Sequence, residues 1–297
     1  PGQHFYPPLL NYINAVVFAA LYAVGRMVPL WYDLGDFREQ FFADPTPFYL
    51  SARMVTAAMG AMTAPLFYLI GTSLGFKRRH ALVLGVFGVL IPSIILLSHY
   101  SKSDVPLASS VILVFWLALE KLKNPSSTKW AALLGLGISL TMSFKHSYIF
   151  MLVPLMVGYC FMLWRLTSFA ATFRSLVVTA LWMIPSWCLL NIGILLDFGN
   201  FLDFQVIQAQ MSVRSDASIG AAFAMAFELA AHKAYGANII TTALFFTFPL
   251  YLNSRYCQLD RINNVSIKAF LNICWIAVIF GFIVITLMSS TRQHSGL

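Results

Sequence analysis

An all-α fold, a polytopic transmembrane helical bundle of about eight spans with outer juxtamembrane helices, is predicted by three observations. Only 10% of the 297 residues are charged and 59% are apolar, against ~25% charged in an ordinary soluble domain. That surface deficit excludes a water-soluble globule, and a mean hydropathy of +0.77 with 26 Phe and 7 Trp excludes a disordered chain. Eight stretches are long and apolar enough to cross a bilayer, at ~17 residues or more each. The loops between them alternate in charge.

The stretches run from about 51 to 73, 80 to 98, 104 to 121, 129 to 145, 147 to 164, 175 to 196, 236 to 253 and 267 to 288. Pro65, Pro92, Pro154, Pro185 and Pro249 fall inside five of them, where neighbouring helices in lipid satisfy the freed carbonyls and kinks are expected. Gly135, Gly137 and Ser139 form a small-residue face suited to close helix packing. The whole of 1–297 reads as one transmembrane domain: an outer segment 1–50, six spans within 51–196, an outer loop 197–235, and two spans with an outer tail in 236–297.

One set of loops carries Lys77, Arg78, Arg79, Lys121, Lys123, Lys129, Arg165, Arg174, Arg255, Arg261 and Lys268 against Glu120 and Asp260, a net of +9, and the other set nets −1. The positive-inside rule makes the basic set cytoplasmic. The formal charge of +8 therefore reports orientation in a membrane, and nucleic acid is not an expected partner. Residues 9–30 are also apolar, but the alternation is cleanest if they form an interfacial helix on the outer surface. Within 197–235, Phe204, Ile207 and Met211, then Phe223, Phe227 and Ala230, recur at helical spacing and predict two further outer helices, the second ending near Gly236. With short basic inner loops and an elaborated outer face, the chemistry is expected outside.

Four clusters carry the candidate site residues. Ser98-His99-Tyr100-Ser101-Lys102-Ser103-Asp104 joins two spans on the outer side, a depth at which ionisable groups are costly; the bland alternative is that Ser103 or Asp104 caps the next helix, with Pro106 in its first turn. Ser143-Phe144-Lys145-His146-Ser147-Tyr148 joins another two spans with almost no loop, and here Lys145 is either functional or a snorkelling anchor. His146 is more often a structural hydrogen-bonding group than a ligand in such a setting. His4 and Tyr6 flank Pro7-Pro8, which fix an extended entry to a helix near Leu9. Arg292 lies in Thr291-Arg292-Gln293-His294 outside the last stretch. Cations such as Lys102, Lys145 and Arg292 at headgroup depth, with Asp104 near, suit a lipid-linked phosphate. The cysteines Cys160, Cys188, Cys257 and Cys274 are too scattered for a metal or redox motif, no cofactor is evident, and no cluster demands a divalent metal.

In order, HFYPPLLNYI, SARMVTAAMGAMTAPLFYLIGTSLGF, SHYSKSDVPLASSVILVFWLAL and GLGISLTMSFKHSYIFMLVPL resemble the type C membrane glycosyltransferases, the superfamily of protein O-mannosyltransferases and lipid A aminoarabinose transferases. The resemblance covers nearly all of the chain. It implies transfer of a sugar from a polyprenyl-phosphate carrier to a protein, lipid or glycan acceptor on the extracytoplasmic face of the cell membrane. It also implies that the Pro-Pro-Leu element begins an outer juxtamembrane helix, that Asp104 occupies an acidic position of the site, and that Lys145 stands near the carrier phosphate. Tyr6 stands where some members have lysine. The resemblance places the usual catalytic carboxylate upstream of residue 1 and further helices beyond residue 297, so the chain reads as cut from something longer. A polytopic transporter or lipid-linked-sugar flippase is the alternative, although ionisable residues gather at span ends and internal repeats are not seen.

Overall fold

The computed structural model describes residues 7–146 and 149–212. These residues are almost wholly helical, with no strand among them. The segment begins with α1 (Leu9–Met27), entered through Pro7 and Pro8, and α2 (Leu34–Ala43). Asp33 caps α2 by accepting a hydrogen bond from the Asp36 amide at 2.9 Å. Next come α3 (Thr46–Ala61) and α4 (Thr63–Ser73), which follow one another through Met62 and together make one apolar length of 28 residues. α5 (Arg78–Val89) and α6 (Pro92–Ser98) replace the single span expected over 80–98 with a pair bent by 50°. The cause is Pro92, which starts α6 and cannot continue the hydrogen-bond ladder of α5.

α7 (Asp104–Lys123) and α8 (Thr128–Phe144) form a hairpin at the centre of the core. Its turn is fixed by Lys121, only 2% exposed, whose ammonium donates to the carbonyls of Pro125 at 2.6 Å and Ser127 at 2.9 Å. α9 (Ile149–Leu166) and α10 (Phe169–Leu190) follow. α10 runs through Pro185 without ending. The stretch expected as one span over 175–196 instead breaks at Asn191, after which come α11 (Ile192–Leu196) and α12 (Phe198–Ser212). α12 covers the Phe204, Ile207 and Met211 pattern as a helix. The stretches 236–253 and 267–288, the predicted helix around Phe223 and Phe227, and the cysteines Cys257 and Cys274 lie outside the described residues.

Small residues set the closest packing. A Cβ on Gly135 would stand 2.3 Å from the Thr179 carbonyl oxygen, backbone against side chain with nothing flexible between. Thr179 itself donates to the Ala131 carbonyl at 3.1 Å, so α8 and α10 touch along their backbones, as small faces allow in lipid. Gly137 faces the side-chain ends of Leu117 and Val114 of α7. The main core, with Val114, Leu117, Leu134, Ile138, Tyr159 and Leu163, fills the space among α4, α7, α8 and α9.

Contacts give the bundle two distinct ends. At one, Ser73 of α4 donates to Glu120 of α7, Trp116 donates to Ser73 at 3.2 Å, and Lys123 pairs with Glu120 at 2.8 Å. The basic residues Lys77, Arg78, Arg79, Lys121, Lys123 and Lys129 belong to the turns at this end. At the other, Gly60 of α3 meets Ser98 and Val105, and Ser109 donates to the Met59 carbonyl at 2.7 Å. Gly60, not residue 51, is therefore level with the start of α7, and the first turns of α3 extend past it.

α1 packs beside that extension. Leu9 and Leu10 join Leu107 and Phe144 in a second core, with Val55 and Met59 against it, while Phe18 meets Phe48 at 5.7 Å between ring centroids. α1 thus runs from the top of the bundle back along the first half of α3. Tyr22, Trp31, Phe37 and Phe41 complete an aromatic knot around this junction of α1, α2 and α3. Length and composition alone would let α1 cross a membrane; its packing partners lie at the Asp104 end.

Candidate functional site

Asp104 opens α7 and Lys145 follows the last residue of α8, so an antiparallel hairpin brings both to one end of the bundle. Lys145 Nζ stands 2.9 Å from Asp104 Oδ1, a charge-assisted hydrogen bond. Asp104 also lies in the first turn of α7, where a carboxylate complements the partial positive charge of the helix N-terminus. Ser103, the N-cap, makes no side-chain capping bond. The capping reading of this cluster therefore reduces to the dipole, and the carboxylate oxygens are directed to other work. Oδ1 holds Lys145.

Lys102 takes a different position from the one its sequence neighbour suggests. It is exposed and its ammonium lies over the Tyr100 ring, 5.9 Å from the centroid, while the cation paired with Asp104 is Lys145 of the next helix. The reason is the short 99–103 connection, in which the Lys102 amide donates back to the Tyr100 carbonyl at 2.9 Å. That turn directs the Lys102 side chain to Tyr100. Both cations still belong to the same end of the bundle.

His146 turns inward beside the pair. Its ring meets Trp187 of α10 edge-on at 6.1 Å and Phe201 of α12 at 5.5 Å. Nε2 is buried without a hydrogen-bond partner among the described residues, and burial in this turn holds the imidazole below its ordinary pKa of 6.5, because desolvation penalises the charged form. His4, Tyr6 and Arg292 lie outside the described residues.

Sequence reasoning missed Asn191. This side chain is wholly buried and donates from Nδ2 to Ser143 Oγ at 2.6 Å and to the Trp187 carbonyl at 2.9 Å. It ties the break between α10 and α11 to the last turn of α8, two residues before Lys145. Tyr12 does the same for α1, its hydroxyl accepting from the Gly193 amide at 3.1 Å; a Cβ on Gly193 would stand 2.6 Å from that oxygen. The available sequence signal was an Asn inside a predicted span, since a polar group at that depth requires a partner.

The assembled end offers a held ammonium, a carboxylate, an exposed second cation, and an inward aromatic and polar wall. Such a set can bind a phosphate and accept a proton. Among the described residues no group of three or more His, Cys, Asp or Glu side chains is placed to hold a metal ion.

Residues 11–211 match the family described as dolichyl-phosphate-mannose-protein mannosyltransferase. No curated protein matches the chain, and no solved structure does. The matched residues include most of α1, all of α2 to α11, the Asp104–Lys145 pair, His146, Trp187 and Asn191, and they make up more than half of the chain. Together with helices long and apolar enough to cross a membrane, the match identifies an integral membrane protein that belongs to the dolichyl-phosphate-mannose-protein mannosyltransferase family of glycosyltransferases.

Proposed function

We propose that this protein transfers a sugar from a polyprenyl-phosphate-linked donor to an acceptor hydroxyl on the extracytoplasmic face of the cell membrane, at the bundle end that carries Asp104 and Lys145. The single observation that carries this reading is the 2.9 Å contact between those residues, which fixes a cation and a carboxylate at one end of the spans. The acceptor oxygen attacks the anomeric carbon, the bond from that carbon to the phosphate oxygen breaks, and the polyprenyl phosphate leaves with the electron pair. Lys145 is suited to stabilise the negative charge that develops on the departing phosphate. Asp104 holds Lys145 through Oδ1 and offers Oδ2 as the proton acceptor for the attacking hydroxyl. Lys102 adds a second positive charge near the headgroup layer. The positive-inside rule supports the orientation, because the basic turns lie at the opposite end.

Membership of a transferase family favours this reading over a transporter or flippase. The test supplies the full-length protein, in lipid nanodiscs, with dolichyl-phosphate mannose and related polyprenyl-phosphate sugars and follows both sugar transfer and carrier binding. Transfer with release of the free polyprenyl phosphate is the expected result. Absence of transfer, hydrolysis and carrier binding across all the carriers overturns it.

A further inference from the structure

Buried polar atoms without a hydrogen-bond partner are costly, and three of them gather in one place here. His146 Nε2, Trp187 Nε1 and Asn191 Oδ1 all lack a hydrogen-bond partner among the described residues. Trp187 and Asn191 are one helical turn apart, on the same face. His146 meets the Trp187 ring, and Asn191 bonds Ser143, three residues before His146. Asn191 is wholly buried, so bulk solvent does not answer its oxygen. Phe201 closes the group against the His146 ring.

The three atoms differ in what they require. An indole N–H only donates, an amide oxygen only accepts, and an imidazole Nε2 does either. A phosphate, which accepts, satisfies Trp187 but leaves Asn191 unanswered. A polyisoprenoid chain satisfies neither. Hydroxyl groups on adjacent carbons donate and accept at once, and the rings of His146, Trp187 and Phe201 supply apolar edges for the C–H faces of the same molecule. Lys145 precedes His146 directly, which sets such a group next to the cation.

We propose that His146, Trp187 and Asn191, flanked by Phe201, form the subsite that binds the hydroxyl groups of the transferred sugar. This rests on the reading of the chain as a lipid-linked-sugar transferase and adds which wall of the site reads the sugar, separately from the phosphate.

The test measures equilibrium binding of two probes, dolichyl-phosphate mannose and bare dolichyl phosphate, to the full-length protein in nanodiscs. Trp187→Phe removes the N–H and keeps a ring, and His146→Phe removes Nε2 likewise. Each variant is expected to bind the mannosyl carrier about five- to tenfold more weakly, the worth of one buried hydrogen bond, with dolichyl phosphate bound as by the wild type. The unchanged second probe shows that the variant is folded. Equal losses for both probes in both variants, or losses for neither, overturn the subsite. Should the wild type transfer sugar while the variants fail to discriminate, the transferase reading stands and the subsite alone falls. Should the wild type bind neither probe, both fall together.

Discussion

Asp104 and Lys145 are 41 residues apart in sequence and 2.9 Å apart in space. The contact exists because α7 and α8 are antiparallel and of similar length, so the first residue of one and the residue after the other reach the same level. Their side chains are 36% and 29% exposed, which makes the pair a modest contributor to stability, ~0.2–1 kcal/mol for a pair of this exposure. On the proposed function its value is chemical. Asp104→Asn and Lys145→Ala are each expected to lower turnover about 100-fold or more while thermal melting in detergent moves little. Wild-type rates in either variant would return that residue to an anchoring role.

A second expectation concerns packing. Gly135→Val puts a branched side chain where even a Cβ would clash with the Thr179 carbonyl oxygen. Overpacking of this kind costs typically ~1–3 kcal/mol, and here backbone must move. The variant should show a lower midpoint of unfolding in a chemical-denaturation series and a looser α8–α10 contact. An unchanged midpoint would mean that the two helices do not touch at this level.

Asn191→Ala removes the donor to Ser143 and to the Trp187 carbonyl. The expected cost is ~1–3 kcal/mol in stability. Because Ser143 lies two residues before Lys145, turnover should fall as well. Asn191→Asp, which keeps the shape but loses the Nδ2 donor, should fail to restore it, whereas Asn191→Gln is expected to recover part. Measurement of kcat beside the unfolding midpoint separates the two effects.

Burial holds the His146 imidazole below 6.5, so the folded state resists a proton that the unfolded chain accepts. The stabilising contribution is full above about 6.5 and is lost as pH falls from there through the folded-state value. Unfolding midpoints measured from pH 8 downward should therefore fall more steeply for the wild type than for His146→Phe, which has no proton to take up. Parallel curves would show that His146 is not held neutral by burial.

Much of this arrangement was legible in the residues themselves. Apolar length gave the helices, because lipid forces every backbone group into one; among the described residues four of them, or five counting the bent pair as one, are long and apolar enough to cross a membrane, and α1 is among the four. Gly135 and Gly137 marked a close packing face, and the structure puts α10 and α7 against them. Asp104 and Lys145 stood out separately as charges at span ends; no local pattern could announce that they touch, since that depends on the register of two helices. Lys102 was misleading for the same reason in reverse, being near Asp104 in sequence and turned to Tyr100 in space. Asn191 was hidden inside an apolar run, where a helix break and its partner Ser143, 48 residues away, are set by tertiary contact. The bend at Pro92 was legible in kind, and its 50° was not.

The extension of α3 sets the depth at which the charge pair lies. From Thr46 to Gly60 the helix advances ~21 Å beyond the level of Ser98 and Val105, at 1.5 Å per residue, and α1 and α2 are fastened to it by the ring knot around Phe48. The charge pair is therefore overlooked by a helical parapet rather than set at the outermost rim. On the proposed function, an acceptor that reaches the pair passes this layer, a depth of ~21 Å that an extended strand covers with about six residues.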